Sequence, residues 1–324
     1  MGTVVLGTGS CLPKKILTNA ELESIVDTND EWIRSRTGIE ARRIGGKGEK
    51  AYQLAANAAR KALEAAEVLP EELDLVVVGT ISSHMLMPST ACFVQNEIGA
   101  RNAFAYDLNA ACSGFLYGYD LADKYIRADR SKKILVIGVE TLSARLDWTD
   151  RNTCILFGDG AGAAVFGYSD SDRGLIDAQM GSDGKLWNLL CMHAPKSLNP
   201  DLEVEGNPGA HILMEGREVF KHAVRAMEEA VRGVLEKSGL GMKEVDCVIP
   251  HQANIRILKN LADRLEIPPE KMFVNVSKYG NTSAASIPIA LDEANREGFL
   301  AIGKTVLFCS FGGGFTWGAV LTKW

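Results

Sequence analysis

The apolar positions of the chain follow two spacings, and each spacing predicts a kind of element. Continuous apolar runs such as Leu75–Val78 and Ile134–Ile137 have the length of buried strands. Other segments repeat apolar residues every three or four positions, as helices with one buried face do. These positions are Leu54, Ala55, Ala58, Ala62 and Leu63 in one segment and Phe220, Val224, Met227, Val231 and Leu235 in another. The alternation of such strands and helices indicates an α/β protein with parallel strands covered on both faces.

The pattern of the first half returns in the second half at a shift of 172 residues. At this shift the predicted strand Leu73–Val77 falls on Val245–Ile249, and Ile134–Val136 falls on Val306–Phe308. The shift changes to 156 residues near the end, which predicts an insert around Ala144–Asp159 in the first half. We therefore expect two similar α/β halves, with ligands bound beyond the carboxyl ends of the strands.

Composition and charge narrow the class of protein. The chain has 324 residues, of which 46% are hydrophobic and 23% charged, as in a soluble globular protein with about two domain-sized units. We expect neither a membrane span nor a secretory signal, because the apolar runs are short and the N-terminus lacks a basic and apolar leader. The net charge of −6 argues against a general nucleic-acid binder.

The cysteines indicate a reducing compartment. There are seven, an odd number, and they form no CxxC pair, so the sequence predicts neither a disulfide framework nor a zinc site. We expect a cytoplasmic protein that has no metal and no cofactor.

Cys112 is the first candidate for chemistry. It stands in the sequence DLNAACSGF, before a segment with the apolar spacing of a helix. We predict that Asn109 caps this helix and that Cys112 lies in its first turn, where the backbone amides and the helix dipole favour a thiolate. Small neighbours leave room for a substrate. Taken alone, Cys112 is better explained by packing, because free cysteines are usually buried in the core.

His251 is the second candidate. It follows the predicted strand Asp246–Ile249, and a helix is predicted to start after it and to run through Leu265. A histidine between a buried strand and a helix start is well placed for a pocket.

Asn281 is the third candidate, between a predicted strand Met272–Val276 and a helix from about Ala284. It could equally be a helix cap.

The glycines Gly312–Gly314 follow another predicted strand and could form a tight turn or bring a backbone amide close to a reacting carbonyl.

Four motifs together carry a family resemblance. Cys112 in NAACSGF, His251 in PHQAN, Asn281 in YGNTSAAS and the closing FGGGFTWG resemble β-ketoacyl-acyl carrier protein synthase III, the initiating condensing enzyme of bacterial fatty-acid synthesis. The resemblance implies the thiolase fold, with two duplicated α/β halves in a layered α-β-α-β-α core. Residues 1–170 would form the half that carries Cys112, and residues 171–324 the half that carries His251 and Asn281.

The resemblance also implies a reaction and the role of each residue. An acyl-CoA primer would condense with malonyl-acyl carrier protein, with loss of carbon dioxide, through an acyl group on Cys112. His251 and Asn281 would hold the thioester oxygen of the malonyl group, and the amides of Cys112 and Gly313 would form an oxyanion hole. A His–Asn pair suits this step, because decarboxylation builds an enolate that needs donors without negative charge.

The segment from Trp32 to Thr37 offers a substrate handle. A nucleotide base could stack on Trp32 while Arg36 pairs with phosphates, although a solvated loop would explain the same residues. The resemblance implies coenzyme A binding here, with Arg151 on the other face of the adenine and Thr37 as a polar contact. Asn254 would contact the pantetheine arm.

The expected partners are an acidic acyl carrier protein and a second copy of the chain. For the carrier protein we predict a basic patch that includes Arg256 and Lys221. As in a family homodimer, the loop Ser82–Ser89 is expected to reach the partner's pocket, with Met87 at the floor of the acyl site.

Other activities stay open at this point. A plant-type polyketide synthase shares the Cys–His–Asn set, and a related synthase could take longer or branched primers. A thiolase would need a second catalytic cysteine just before the terminal glycines, whereas Cys309 lies three residues before Gly312 on a predicted strand. A non-catalytic acyl-binding or scaffold protein is disfavoured by the complete set of partners around Cys112.

Overall fold

The computed structural model of the chain describes residues 2–204 and 206–324. The strands are β1 Gly2–Cys11, β2 Lys15–Thr18, β3 Ala41–Ile44, β4 Leu75–Gly79, β5 Phe104–Leu108, β6 Ile134–Thr141, β7 Asp159–Ser169, β8 Gly174–Ser182, β9 Leu190–Met192, β10 Ile212–Met214, β11 Cys247–Pro250, β12 Thr305–Gly312 and β13 Thr316–Lys323. The α-helices are α1 Asn19–Leu22, α2 Asp30–Thr37, α3 Ala51–Ala66, α4 Thr90–Ile98, α5 Gly114–Ala128, α6 Arg151–Cys154, α7 Gly216–Ser238, α8 Ile255–Leu265, α9 Val276–Tyr279 and α10 Ser286–Arg296.

Two large sheets carry the fold. Their strand orders are β1-β7-β6-β4-β5 and β8-β13-β12-β11, and β2-β3 and β9-β10 form two small sheets. The prediction of parallel strands holds where β4 pairs with β5 and β6 and where β11 pairs with β12. It is wrong for β1, β7, β8 and β13, which pair antiparallel. The cause is plain between β12 and β13, because the three residues that join them are too few for a crossover.

The predicted duplication is confirmed by the strand order. The series β1-β7-β6-β4 of the first sheet returns as β8-β13-β12-β11 in the second. At the shift of 172 residues, the start of β1 at Gly2 falls on the start of β8 at Gly174. Likewise the end of α3 at Ala66 falls on the end of α7 at Ser238. The predicted insert of the first half lies between β6 and β7 and contains α6.

The predicted layered core is also confirmed. Helices α3 and α4 pack on the outer face of the first sheet, and α7 and α8 pack on the outer face of the second. Helices α5 and α10 lie between the two sheets. In this middle layer the ring of Tyr119 lies 4.4 Å from that of Phe166 in the first sheet and 6.4 Å from that of Phe308 in the second.

The strands of the first sheet come from residues 2–169 and those of the second from residues 174–323. The two sheets share the apolar cluster of the middle layer. The division of the chain into two domains at residue 170 stays a prediction.

The predicted strand Met272–Val276 is wrong. Met272 makes a single parallel bridge to Val248, and Val276 begins the short helix α9. The backbone N–H of Asn275 donates to the side-chain oxygen of Gln252 at 2.9 Å instead of to a neighbouring strand. This side-chain contact ends the ladder after one bridge.

Of the described helices, none combines the length and the apolarity needed to cross a bilayer.

Candidate active site

Cys112 lies in a 3₁₀ turn, Ala111–Ser113, between β5 and α5. The predicted position in the first turn of the α-helix is wrong, because α5 begins at Gly114. Asn109 does not cap α5; its side-chain oxygen accepts a long bond from the N–H of Ala111 at 3.4 Å. Ala111 has a φ of 45°, in the left-handed region, so a regular α-helix cannot extend back through Ala111 to Asn109.

The glycines after β12 press against this turn. A Cβ atom on Gly312 would lie 2.6 Å from the backbone nitrogen of Cys112 and 3.0 Å from its Cβ. Only glycine permits so close an approach, so Gly312 sets the distance between β12 and the turn that carries Cys112. Gly313 follows and lines a cavity together with Cys112.

The thiol of Cys112 is enclosed, being 8% exposed. Burial raises the pKa of Cys112 to about 12, and the nearby side chain of Ser283 offsets only part of this rise. A raised pKa favours the neutral thiol, whereas the sequence predicted that Cys112 would have thiolate character. Two features explain the difference: the helix starts after Cys112, not around it, and the thiol is surrounded by protein.

His251 stands directly after β11, where the prediction placed it. Its backbone N–H donates to the carbonyl of Cys309 on β12 at 2.8 Å, which ties its position to the sheet. The imidazole is 3% exposed, and burial lowers the pKa of His251 to about 4. Its Nδ1 has no hydrogen-bond partner in the described part of the chain. His251 is therefore uncharged at neutral pH.

Asn281 lies between α9 and the 3₁₀ turn Ser283–Ala285. Its backbone bonds to Leu156 at 2.8 Å and to Gly158 at 3.0 Å fix it to the segment that precedes β7. Its side-chain oxygen accepts from the backbone N–H of Ser283 at 2.8 Å. With Oδ1 occupied in this way, the Nδ2 group is the part of the side chain left to act as a donor.

Cys112, His251 and Asn281 line one cavity of about 590 Å³. The three come from the first half, from the end of β11 and from the segment after α9, so the fold brings together residues that are far apart in the sequence. The imidazole and the amide are buried and uncharged. Such a pair can donate to an oxyanion without bringing a negative charge of its own.

The predicted coenzyme A handles lie along the same cavity. Trp32, Arg36, Thr37 and Asn254 line it, and the guanidinium of Arg151 lies 5.0 Å from the centre of the Trp32 ring. The hydroxyl of Thr37 is already used, since it donates to the carbonyl of Ile33 at 2.7 Å and accepts from Ile39 at 3.0 Å. The roles of these five residues in binding coenzyme A stay predictions.

Asn254 caps α8, with its side-chain oxygen accepting from the N–H of Arg256 at 2.8 Å. Lys221 and Arg256 line the cavity as well. The guanidinium of Arg256 on α8 lies 5.7 Å from the centre of the Phe220 ring on α7. Lys221 follows Phe220 on α7, and its ammonium pairs with Glu218 at 2.7 Å. Arg217 on α7 also lines this cavity and was missed, because its sequence context resembles any charged helix start.

A second cavity of about 300 Å³ lies on another side of Cys112. Its lining includes Leu142, Phe157, Leu190, Cys191, Met192 and Ile212. In the described chain Met87 lines neither this cavity nor the larger one, and its side chain is 81% exposed. Its predicted role at the floor of the acyl site therefore depends on a second copy and stays a prediction.

Glu140 was also missed by the sequence reasoning. It lies near the end of β6, is fully buried, and influences the pKa of Cys112. Burial raises the pKa of Glu140 to about 7. The only signal in the sequence is an acidic residue that ends an otherwise apolar strand.

Two family models match the chain. The model described as 3-oxoacyl-[acyl-carrier-protein (ACP)] synthase III matches residues 106–184, and the one for the C terminal of the same enzyme matches residues 235–324. The first range contains Cys112 and the second contains His251 and Asn281.

Relatives match over the whole length. A β-ketoacyl-[acyl-carrier-protein] synthase III from Desulfotalea psychrophila is 59% identical over 324 residues, which is 100% of both chains. The enzyme of that name from Aquifex aeolicus is 51% identical, again over 100% of both chains. The crystal structure of 3-oxoacyl-[acyl-carrier-protein] synthase III from Aquifex aeolicus superposes with a TM-score of 0.93 at 50% identity, covering 100% of each chain.

Proposed function

The chain belongs to the β-ketoacyl-[acyl-carrier-protein] synthase III family, and from this premise we propose that it joins an acyl-CoA primer to malonyl-acyl carrier protein and so initiates fatty-acid synthesis. The observation that supports this most is that three buried residues, Cys112, His251 and Asn281, line one cavity. No cofactor is part of the proposal, because coenzyme A enters as the carrier of the substrate.

In the first half-reaction, the sulfur of Cys112 attacks the carbonyl carbon of the acyl-CoA thioester. A new carbon–sulfur bond forms to Cys112, and the bond to coenzyme A breaks, so coenzyme A leaves as a thiol with the proton from Cys112. The backbone amides of Cys112 and Gly313 hold the oxygen of the tetrahedral intermediate. Because the thiol is buried with a raised pKa, we infer that bound substrate favours the loss of its proton.

In the second half-reaction, the malonyl carboxylate leaves as carbon dioxide. The electron pair of the broken carbon–carbon bond moves into the thioester and forms an enolate, whose oxygen accepts hydrogen bonds from His251 and Asn281. The enolate carbon then attacks the acyl group on Cys112, and the thiolate leaves. An uncharged imidazole and an amide suit this step, since neither repels the developing negative charge.

Coenzyme A enters along the larger cavity in this proposal. The adenine enters between Trp32 and Arg151, and the guanidinium, which lies 5.0 Å from the Trp32 ring, moves aside to admit it. Arg36 offers a cation to the phosphates. The pantetheine arm then passes Asn254 on its way to Cys112. The acyl group enters the cavity of about 300 Å³, which is larger than an acetyl group needs, so primers longer than acetyl are included.

The carrier protein docks at the mouth of the same cavity. Lys221, Arg217 and Arg256 line it, and they provide positive charge in a chain of net charge −6. An acidic carrier protein would be steered to this patch.

A homodimer is also part of the proposal. Strand β5 is the last strand of the first sheet, and Phe104 at its start is 52% exposed. Met85, Leu86 and Met87 project from the loop Ser82–Ser89 with exposures of 47%, 87% and 81%. An open strand edge beside exposed apolar side chains suits contact with a second copy.

The thiolase alternative lacks support. Cys309 is fully buried within β12 and packs in the cluster between the second sheet and α7. Within the described chain it lines neither of the two cavities around Cys112. A cytoplasmic location remains part of the proposal, because Cys112 must stay a free thiol to carry an acyl group.

The test is intact-mass analysis of the protein after mixing with acyl-CoAs of different length and branching. We expect one acyl adduct, which peptide mapping places on Cys112, and release of carbon dioxide when malonyl-acyl carrier protein is added. Acylation that persists in Cys112→Ser would overturn the assignment of the nucleophile.

A further inference from the structure

Glu140 is a buried acid that the reaction described above does not use. It lies on β6, and its side chain faces the start of the loop after β4. The hydroxyl of Ser82 donates to its carboxyl at 2.5 Å, and the backbone N–H of Ile81 donates to both oxygens at 3.2 and 3.3 Å. The hydroxyl of Thr80 donates at 3.4 Å. These donors fix where the carboxyl points.

Glu140 has no salt bridge to any lysine, arginine or histidine in the described ranges. The titratable group that it affects is Cys112, from the turn before α5, whose pKa it raises. The other charged groups near this end of β6 have different partners. Arg145 bonds to Ser83 at 3.2 Å, Asp107 caps α4 with bonds of 2.7 Å, and Asp159 pairs with Ser143.

Ser283 connects the acid to the nucleophile. Ser283 lines the smaller cavity together with Cys112. The turn that carries it packs against β6, where a Cβ atom on Gly138 would lie 2.0 Å from the carbonyl oxygen of Ala284. The Ser283 side chain lowers the pKa of both Cys112 and Glu140. Its hydroxyl oxygen is buried, and none of the described groups forms a well-aligned hydrogen bond with it. The φ of Ser283 is 48°, so its backbone is held in the left-handed region, as that of Ala111 is beside Cys112.

We propose that Glu140 is a positioning residue that controls the reactivity of the Cys112 sulfur through the hydroxyl of Ser283, and that its charged form lowers this reactivity; this inference rests on the proposed role of Cys112. A serine hydroxyl has one proton to donate. When Glu140 is a carboxylate, it attracts that proton and also repels a negative charge on Cys112. When Glu140 is neutral, Ser283 donates to the sulfur and stabilises the thiolate.

The test measures the rate at which iodoacetamide alkylates Cys112 as a function of pH, with the modified peptide quantified by mass spectrometry. Glu140→Gln removes the charge and keeps an acceptor for Ile81. We expect faster alkylation by about 3- to 10-fold at neutral pH, with the profile displaced to lower pH, since a nearby charge shifts a pKa by about a unit. Ser283→Ala should displace the profile to higher pH.

Two controls separate positioning from mere support of the fold. Asp159→Asn removes another buried acid that is bonded to a serine and to backbone amides, and its profile should match that of the unmodified protein. Glu140→Asp keeps the charge and should return the profile towards normal. In the double variant Glu140→Gln, Ser283→Ala the hydroxyl is already absent. Glu140→Gln should therefore displace the alkylation profile less there than it does alone.

A profile for Glu140→Gln that matches the unmodified protein would overturn the proposal, as would fully additive effects of the two substitutions. If Glu140→Gln does not fold, an unchanged profile in Ser283→Ala would overturn it as well. Alkylation needs no substrate, so its outcome is independent of the proposed function. Failure of acetyl-CoA to acylate the unmodified protein would contradict the condensing activity and leave this result standing.

Discussion

The backbone N–H of Ser283 donates to the side-chain oxygen of Asn281 at 2.8 Å. This bond decides which end of the amide can serve a substrate, because the oxygen is engaged and the Nδ2 group remains a donor. The same bond supports the turn that follows. In the proposed reaction Asn281 therefore has two separable tasks, to hold the turn and to donate into the cavity.

The two tasks can be separated with a pair of variants. Asn281→Asp keeps the acceptor for Ser283 and removes the donor, whereas Asn281→Ala removes both. Because the enolate needs the donor, we expect both variants to release carbon dioxide from malonyl-acyl carrier protein more slowly by about 100-fold or more. Acylation by acetyl-CoA should survive better in Asn281→Asp. Rates of acylation and of carbon dioxide release, measured side by side, check this. If Asn281→Asp restores carbon dioxide release, the residue acts only by holding the turn.

Gly312 offers a test of the geometry around the nucleophile. In Gly312→Ala, the new Cβ would lie 2.6 Å from the backbone nitrogen of Cys112, so the turn must move. We expect acylation to slow by about 10-fold or more, because a displacement of this size misaligns the sulfur and its amide. Gly184→Ala is the matched control, since a Cβ there meets nothing within 4 Å. Equal acylation rates in the two variants would show that the turn adapts freely.

The duplication and the layers could be predicted because they depend on regular apolar spacing. The repeated strands at a shift of 172 residues gave the equivalence of β1 with β8 and of α3 with α7. The antiparallel strands could not be predicted in the same way. A buried strand has the same apolar run whichever direction its neighbour takes, and only the shortness of a connection such as that from Gly312 to Thr316 reveals the direction.

Cys112 and His251 could be found because each follows a strand at a turn, and Asn281 could be found from its motif YGNTSAAS, although the strand predicted before it is wrong. The state of Cys112 could not, since it depends on enclosure by segments that are distant in the sequence. The left-handed backbone of Ala111 leaves no mark in the local pattern, and Glu140 leaves only an acidic residue near the end of an otherwise apolar strand. The sequence therefore indicated the candidate residues, while their protonation state required the structure.

The basic patch should matter for the carrier protein and little for coenzyme A. Arg256→Glu reverses one charge at the mouth of the cavity, so the step that uses malonyl-acyl carrier protein should slow and become less sensitive to salt. Lys237→Glu makes a similar change at the other end of α7, about 24 Å from Lys221 at 1.5 Å per residue, and should have little effect. The measurements are carrier-dependent rates over a range of salt and binding of coenzyme A. Equal loss of both in Arg256→Glu would place the patch elsewhere.

Met87 tests the predicted reach of its loop into a partner. In a single chain its side chain is 81% exposed, so Met87→Ala can change the preferred primer length only through a second copy. We expect a shift towards longer acyl-CoAs, because a shorter side chain at the pocket floor leaves more room. Leu86→Ala is the control, since Leu86 is next to Met87 in the same loop and is 87% exposed. Matching chain-length profiles for both variants and the unmodified protein would place the pocket floor on other residues.

The burial of His251 predicts how the stability of the protein depends on pH, and this can be measured without substrate. Burial lowers its pKa to about 4, whereas an unburied histidine has a pKa of about 6.5. Between these values the unfolded chain binds a proton that the folded protein does not. Protonation of this histidine therefore favours the unfolded chain. The free energy of unfolding is not reduced by it above about pH 6.5, and it falls as the pH drops from about 6.5 towards 4.

Comparison with His251→Ala isolates this contribution, because the other acidic groups titrate in both proteins. Between pH 7 and pH 5 we expect the unmodified protein to lose on the order of 2 kcal/mol more in free energy of unfolding than His251→Ala does. Urea unfolding at the two pH values measures the difference, and His193→Ala controls for loss of an imidazole elsewhere. The same uncharged imidazole should let acetylated protein release carbon dioxide without a break near pH 6.5. A drop in that rate at pH 6.5, or an equal loss of stability in both proteins, would mean that His251 is more accessible to protons than its burial indicates.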